Sequence, residues 1–134
     1  MADIFKVEII TPDRIFYEGE AEFIEFATAS GEIGVYANHI PMTTVLASGP
    51  VTIHHGEEET VAAVHAGFAE ILGDKVTLLA EIAEWPDEID VSRAEAARDR
   101  AEDRIASHAA DLDIKRAEFA LRKALTRIDV AGYR

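Results

Sequence analysis

Apolar and polar residues alternate with a period of two along the first 84 residues, in short runs that turn residues interrupt. The first run places Phe5, Val7 and Ile9 between charged neighbours, and Thr11-Pro12-Asp13 then forms a turn. Further strands are predicted at Ile15–Tyr17, Ala21–Ala27, Ile33–Tyr36, Thr43–Leu46, Val51–His54, Thr60–His65, Phe68–Leu72 and Lys75–Ala80. Strands this short and evenly spaced predict an antiparallel β-sandwich or barrel of about ten strands in two sheets.

After Trp85-Pro86 the period of the apolar residues changes to that of a helix. One helical seam contains Val91, Ala94, Ala101, Ile105 and Ala109, and a second contains Ile114, Ala117, Leu121, Leu125 and Ile128. Asp90 or Ser92 can cap the first helix, and Asp111 or Asp113 can cap the second. The chain is therefore predicted to be an α+β protein, with a β-sandwich domain over residues 1–86 and an antiparallel two-helix hairpin over residues 87–134.

Each predicted helix has a single apolar stripe, and two such stripes bury each other in a hairpin. We therefore expect little apolar surface to remain for docking elsewhere. The hairpin is predicted to be the mobile part of the chain, able to rest on the sandwich or to extend toward a partner. Glu118 and Arg122 stand four residues apart and are expected to pair on the outer face of the second helix.

The chain of 134 residues has a net charge of −13, unevenly distributed. Residues 1–86 contain fifteen acidic and three basic residues, whereas residues 87–134 contain eleven and ten. This charge disfavours nucleic acid and anionic lipid as partners. The sequence has no cysteine, no signal-peptide pattern and no apolar run of about 18 residues, so we expect a cytoplasmic location without a membrane span.

The sequence shows no motif of a catalytic centre or a metal site, and we predict that the chain is not an enzyme. His54 and His55 are adjacent on a strand and point to opposite faces, which hinders chelation of one metal ion. His39 and His65 have no visible catalytic partner. They are interpreted as structural residues that form hydrogen bonds.

One segment, Gly31 to Met42, forms a distinctive motif with the sequence Gly31-Glu32-Ile33-Gly34-Val35-Tyr36-Ala37-Asn38-His39-Ile40-Pro41-Met42. This motif resembles the G-E-x-G-x-x-x-x-H-x-P signature of the epsilon subunit of F-type ATP synthases of bacterial type, which is called delta in mitochondria. The resemblance continues through Gly49-Pro50-Val51 and Gly67-Phe68-Ala69-Glu70-Ile71. Ala66 stands where the family usually has the first glycine of a Gly-Gly pair.

The resemblance implies a non-catalytic subunit of the rotating central stalk, which couples proton-driven rotation of the c-ring to ATP synthesis through the gamma subunit. It implies that the sandwich binds gamma and the c-ring, and that the hairpin can reach the alpha/beta catalytic head and inhibit ATP hydrolysis. The expected location is the cytoplasmic face of the bacterial plasma membrane, through the complex alone. Candidate partner contacts are Gly31, Glu32, Gly34, His39, Pro41, Arg93, Arg100, Arg122 and Arg127.

The segment Ile89-Asp90-Val91-Ser92-Arg93-Ala94 resembles the I/L-D-x-x-R-A motif with which some bacterial epsilon subunits bind ATP. The candidate ATP residues are Glu84, Ile89, Asp90, Arg93, Ala94, Arg100 and Arg127. No cofactor is required on this interpretation, and ATP would be a regulatory ligand. Two alternatives stay open: an ATP-sensing module whose hairpin closes on the nucleotide, and a generic β-sandwich ligand-binding module with a helical tail.

Overall fold

The computed structural model describes residues 3–133. Eight strands precede two helices, and a short 3₁₀ turn at Pro86–Glu88 separates them. The strands are β1 (Phe5–Thr11), β2 (Arg14–Ala21), β3 (Phe23–Thr28), β4 (Gly31–Tyr36), β5 (Met42–Val45), β6 (Gly49–His55), β7 (Glu58–Ile71) and β8 (Lys75–Glu84). The helices are α1 (Val91–Ser107) and α2 (Ile114–Ala131). The predicted α+β fold, strands first and hairpin second, is confirmed.

The strands form one hydrogen-bonded sheet in the order β2-β1-β8-β7-β6-β3-β4, with β5 paired to the second half of β7. Strands β7 and β8 are long enough to belong to both layers of the sandwich. One layer contains β5, β7, β8, β1 and β2, and the other contains β8, β7, β6, β3 and β4. Each layer therefore contains five strands. Because β7 and β8 are shared by the two layers, the predicted two-layer sandwich is built from eight strands.

One strand pairing departs from the predicted antiparallel arrangement. Strands β1 and β8 are parallel, with Val7 opposite Val76 and Ile9 opposite Leu78, whereas the other pairs of strands are antiparallel. Residues Val7, Ile9, Val76 and Leu78 are fully buried in the core. Alternation of apolar residues specifies which face of a strand is buried and contains no information about its direction, which is why the sequence pattern missed this pairing.

Strand β7 bends at Ala66-Gly67, where it passes from one layer to the other. Both residues have positive φ angles, 59° for Ala66 and 115° for Gly67. A Cβ atom at residue 67 would overlap the carbonyl oxygen of Leu79 on the neighbouring strand. Glycine at 67 is therefore required by both backbone conformation and close approach, while Ala66 holds a conformation that alanine disfavours.

The main core fills the space between the two layers. Its largest buried side chains include Phe26, Ile9, Ile24, Ile71 and Leu78.

Trp85, just after the last strand, stacks on Phe16 with ring centroids 4.2 Å apart. Arg14 Nη2 donates to both carboxylate oxygens of Glu88, at 2.9 and 3.1 Å. These contacts fasten the segment that leads from the sandwich to the helices.

Of the two cap candidates for each helix, Asp90 caps α1 and Asp113 caps α2. The Asp90 side chain accepts a hydrogen bond from the backbone N–H of Arg93, and Asp113 accepts one from that of Arg116, both at 3.1 Å. The helices meet through small residues, since Ala94, Ala101, Ala117 and Ala124 are buried. Two predicted seam residues, Ile114 and Leu125, instead have exposed fractions of 41% and 47%. Near the C-terminal end of α2, the buried residues are instead Thr126, Val130 and Ala131.

The hairpin packs on the sandwich through a second apolar cluster. Val130 and Ala131 of α2 are buried together with Val61 and Ala63 of β7 and with Ile89 of the connecting segment. The expectation that little apolar surface remains for docking was therefore wrong. The reason is that α2 carries two further buried residues near its C-terminal end, Val130 and Ala131, which the single predicted seam did not include.

Candidate functional site

A buried hydrogen-bond network joins the sandwich to α2. His65, with an exposed fraction of 1%, contacts Ser48 Oγ through Nδ1 at 3.1 Å and Glu84 Oε1 through Nε2 at 3.0 Å. The same Glu84 oxygen accepts a hydrogen bond from Arg127 Nε at 2.8 Å. The interpretation of His65 as a hydrogen-bonded residue is confirmed, and the network makes it part of the docking interface.

The Glu84 carboxylate is the centre of this network. Burial raises the pKa of Glu84, but hydrogen bonds from His65 and Arg127, together with the positive charge of Arg127, outweigh burial and hold the pKa below its ordinary value. The ionised form is therefore the one that the docked hairpin stabilises. A charge-assisted pair that is half-buried and has two donors is stronger than an exposed surface pair.

Arg122 makes a second polar contact between α2 and the sandwich. Its Nε donates to the carbonyl oxygen of Ser48 at 2.8 Å. The expected pair with Glu118 is absent among the ion pairs of residues 3–133, because Arg122 instead reaches the loop before β6. Ser48 thus binds both His65 and Arg122, and neither contact has a signature in the sequence.

Most of the predicted nucleotide residues line one cleft between the hairpin and the end of the sandwich. This arginine cleft has a volume of about 360 Å³. Its walls are formed by Glu84, Glu88, Asp90, Arg93, Ala94, Ala97, Arg100 and Arg127. Ile89 is the predicted residue that does not line the cleft, since its side chain is buried in the second apolar cluster. The structure therefore brings six of the seven candidates together.

The charges of the arginine cleft are not all compensated. Arg127 is paired with Glu84, and Glu88 is paired with Arg14 outside the cleft. Arg93 and Arg100 form no ion pair within residues 3–133. Two guanidinium groups without a carboxylate partner, in a cleft of this size, are suited to hold phosphate groups by forked hydrogen bonds.

The residues of the Gly31–Pro41 motif lie in two separate places. Gly31, Glu32 and Gly34 belong to β4, the edge strand of its layer, and Glu32 lines a groove under α2 beside Arg122. His39 and Pro41 lie in the loop at the opposite end of β4, where the His39 Nδ1 contacts the Ile40 carbonyl oxygen at 2.6 Å. The five residue steps from Gly31 to Tyr36 span roughly 17 Å, so Gly31 and the loop of His39 and Pro41 do not form one contact patch.

The outer face of the layer that contains β5 exposes a continuous apolar row. In the strand register Val45 lies opposite Phe68, Phe68 opposite Leu79, Leu79 opposite Ile10, and Ile10 opposite Ile15. Val45, Phe68, Leu79 and Ile15 have exposed fractions between 49% and 63%. The next row on this face is polar and contains Thr43, Glu70, Thr77, Glu8 and Glu18. An exposed apolar row that crosses five strands is typical of a protein-binding surface.

Within residues 3–133 no group of His, Asp and Glu side chains is arranged to hold a metal ion. No helix in that part of the chain is long and apolar enough to cross a bilayer. The fold and these surfaces define a class: a β-sandwich with a docked, arginine-bearing hairpin, built to bind other molecules at several faces.

Comparison with known families identifies this class. The ATP synthase delta/epsilon chain beta-sandwich domain matches residues 4–86, and the long alpha-helix domain of the same chain matches residues 87–132. The chain belongs to the ATP synthase delta/epsilon chain family, and the resemblance seen in the sequence is confirmed.

Individual relatives agree with the family assignment. The ATP synthase epsilon chain of Shouchella clausii is 49% identical over 130 residues, which is 96% of each chain. The ATP synthase epsilon chain of Brevibacillus brevis is 51% identical over 126 residues, 93% of this chain and 96% of the relative. Among solved structures, a chain of the Euglena gracilis mitochondrial ATP synthase (OSCP/F1/c-ring) has a TM-score of 0.79 at 22% identity, covering 95% of this chain and 80% of that chain. This structural likeness shows the fold.

Proposed function

We propose that the chain is a non-catalytic subunit of the central stalk of a proton-translocating ATP synthase, and that the apolar row of its sandwich binds the gamma subunit. The observation that supports this role most directly is the row itself, five in-register residues on five strands, several of them largely exposed. Burial of such a row in a partner releases water from apolar surface, while the acidic row beside it offers charge for specificity.

The end of the sandwich near the Asn38 loop is the proposed contact with the c-ring. Four apolar residues are exposed there, namely Ile4, Ile40, Met42 and Leu72, and Ile40 has an exposed fraction of 79%. The backbone N–H of Asn38 donates to the carbonyl oxygen of Gly73 at 2.7 Å and so fixes this loop to the β7–β8 turn. Contact through this end would hold the chain at the cytoplasmic face of the bacterial plasma membrane as a peripheral part of the F1 sector.

Gamma binding is tested with two substitutions in the apolar row, Phe68→Glu and Leu79→Glu, which place a charge in the proposed interface without disturbing the core. Each should lower affinity for purified gamma by at least about tenfold. The matched control is Ile114→Glu, an exposed apolar residue at the start of α2 and outside the row. Equal affinity of all three variants and the unsubstituted chain would contradict a role for the row.

The hairpin is proposed to regulate hydrolysis by leaving the sandwich and contacting the alpha/beta catalytic head. In the docked state Arg122 and Arg127 are engaged by Ser48 and Glu84. Release would therefore add two cations to Arg93 and Arg100, which have no ion-pair partner in the described structure. A hairpin with four available arginines is complementary to an acidic surface, and this interaction is weakened by salt.

Regulation is tested by ATP hydrolysis of the reassembled complex. A chain that ends after Pro86 should give faster hydrolysis than the full chain. Arg93→Glu and Arg100→Glu in the full chain should give a similar increase because they leave the docking contacts intact, and Arg104→Glu, on the same helix, is the control. Hydrolysis rates unchanged by truncation would leave the hairpin without an inhibitory role.

A second candidate function, ATP sensing, is supported by the arginine cleft. ATP would place its phosphates against Arg93 and Arg100, and its ribose or base near Asp90 and Glu84. Because both the hairpin and the sandwich line the cleft, bound nucleotide would favour the docked hairpin. Calorimetric titration of the chain with ATP, with and without Mg²⁺, tests this candidate. Arg100→Gln should abolish the heat that Arg104→Gln retains, and no heat at millimolar ATP would contradict it.

A further inference from the structure

A second cleft lies where α2 crosses the bend in β7. This cleft, called here the Phe119 cleft, has a volume of about 510 Å³ and mostly apolar walls. The sandwich contributes Val45, Leu46, Ala66 and Ile82, and α2 contributes Phe119. A cavity of this volume at the boundary between two structural units is typical of small-molecule binding sites.

The mouth of the Phe119 cleft exposes apolar surface from both units. Phe119 has an exposed fraction of 68% and Val45 one of 49%. The Phe119 ring and the Val45 side chain are thus two apolar surfaces that remain exposed to solvent at the same cavity. An apolar ligand segment that enters the cleft would cover both side chains at once.

The polar part of the lining contains two cations and one carboxylate, beside Ser48 and His65. Arg122 and Lys123 line the cleft, and neither forms an ion pair within residues 3–133. Arg122 is positioned by its Nε bond to the Ser48 carbonyl, which leaves its two terminal nitrogens available. Glu81 is the carboxylate of the lining. In a chain with a net charge of −13, two neighbouring cations beside an apolar cavity favour an anionic head group.

We propose that the Phe119 cleft binds a small amphipathic carboxylate, an alkyl chain with one terminal carboxyl group. The alkyl chain lies against Phe119, Val45 and Ile82, and the carboxylate accepts charge-assisted hydrogen bonds from Arg122 and Lys123. Because the walls come from α2 and from the sandwich, the ligand binds the docked hairpin and not the released one, and so stabilises docking. The site is a property of the free chain and does not rest on the proposed rotor role.

The probe is sodium octanoate, titrated into the ¹⁵N-labelled full chain and followed by amide chemical shifts. Octanoate should give saturable changes confined to residues 45–48, 65–66, 81–82 and 119–123, with a dissociation constant in the millimolar range or tighter, as a ligand of about ten heavy atoms allows. Octan-1-ol should bind at least about fivefold more weakly, and inorganic phosphate should not bind there. Changes that do not saturate, or that scatter over the chain, would overturn the proposal.

Three variants and one control variant separate charge recognition from apolar recognition. Lys123→Gln should weaken octanoate binding by about fivefold and leave octan-1-ol unaffected, while Lys115→Gln, exposed on the same helix, should change neither. Phe119→Ala should weaken both ligands, and its exposed position keeps the hairpin folded. Ala47→Leu, which fills the cleft and keeps every charge, should abolish binding.

Coupling to docking is measured by hydrogen exchange of α2. Saturating octanoate should slow amide exchange in α2 of the unsubstituted chain and leave that of Ala47→Leu unchanged. Equal octanoate affinity in Lys123→Gln and the unsubstituted chain would overturn the role of charge. Unchanged α2 exchange at saturation would overturn the stabilisation of the docked hairpin.

Discussion

The carboxylate of Glu84, at the end of strand β8, accepts a hydrogen bond from Arg127 of helix α2 at 2.8 Å, and buried His65 binds the same oxygen at 3.0 Å. A residue of the sandwich thus holds the hairpin through one shared oxygen. The side chains of Glu84 and Arg127 have exposed fractions of 22% and 28%, so solvent screens the pair only in part. This interaction contributes to docking beside the second apolar cluster, and its groups can be removed one at a time.

Removal of the Arg127 side chain from this pair should weaken docking of the hairpin. Arg127→Gln leaves Glu84 with His65 alone and should weaken docking by about 1–3 kcal/mol. Hydrogen exchange of the α2 amides should accelerate correspondingly, while exchange of the sandwich core stays slow. Arg116→Gln, an exposed arginine of the same helix, is the matched control. If both variants exchange like the unsubstituted chain, the pair does not hold the hairpin.

Acid should weaken docking through the same carboxylate. Burial raises the pKa of Glu84, but hydrogen bonds from His65 and Arg127 outweigh it, so the pKa in the docked state lies below the ordinary 4.5. Because the pKa of Glu84 is lower in the docked state, ionised Glu84 stabilises that state at pH values above 4.5. This contribution is lost as the pH falls through the lowered pKa. The unfolding free energies of the unsubstituted chain and Glu84→Gln should therefore differ most above about pH 5 and converge on acidification.

The comparison of these two chains isolates Glu84, because the other carboxyl groups titrate in both. Urea denaturation at a series of pH values from 3 to 7 gives the two curves. A difference that is the same at pH 3 and at pH 6 would show that the charge of Glu84 does not contribute to stability.

The bend of β7 should respond in opposite directions at two adjacent positions. Ala66→Gly relieves an unfavourable φ of 59° and, after the entropy cost of glycine, should stabilise the chain by about 0.5–1 kcal/mol. Gly67→Ala forces a Cβ onto the Leu79 carbonyl oxygen and should cost about 3 kcal/mol or more. Chemical denaturation measures both changes.

The control for Gly67→Ala is Gly56→Ala. Gly56 also has a positive φ, 62°, but no atom lies within 4 Å of the added Cβ. Its substitution should therefore cost only the conformational preference, about 1 kcal/mol. Equal losses at 56 and 67 would show that the contact with Leu79 does not matter.

The second apolar cluster should anchor the hairpin independently of the polar network. Val130 has no exposed surface and packs with Val61, Ala63 and Ile89. Val130→Ala should weaken docking by about 1–2 kcal/mol through lost burial and a cavity. Leu125→Ala, a larger truncation at a residue that is 47% exposed, should cost less. Hydrogen exchange of α2 compares the two, and a greater loss at Leu125 would contradict this assignment of the interface.

Hydrophobic period and capping residues predicted the strands and helices well, because both depend on the residues within a single segment of the chain. The period-two runs became strands, the change of period after Pro86 became helices, and Asp90 and Asp113 became helix caps. The number of strands differed because a bend such as Ala66-Gly67 interrupts the apolar pattern without ending the strand. The parallel pairing of β1 with β8 depends on chain topology, which alternation does not encode.

The docking interface was hidden for a different reason. It combines Val130 and Ala131 with a His65–Glu84–Arg127 network, and each of these residues is ordinary in its own segment. Only tertiary structure brings them together. The arginine cleft brings together six of the candidate ATP residues, of which family resemblance, and not periodicity, pointed to Asp90 and Arg93. The Phe119 cleft has no such motif and was not predicted.

Asp90 occupies two positions at once, the N-cap of α1 and the wall of the arginine cleft. Its Oδ1 caps α1, and its carboxylate also lines the arginine cleft. Asp90→Ala should destabilise the hairpin by about 1 kcal/mol, as should Asp113→Ala at the equivalent cap of α2, whereas Asp90→Ser keeps a capping oxygen and should change stability by less than about 0.5 kcal/mol. If ATP binds as proposed, Asp90→Ser should still lose several-fold in ATP affinity by calorimetry, because serine lacks the second carboxylate oxygen. Retention of both stability and nucleotide affinity in Asp90→Ser would assign the residue to capping alone.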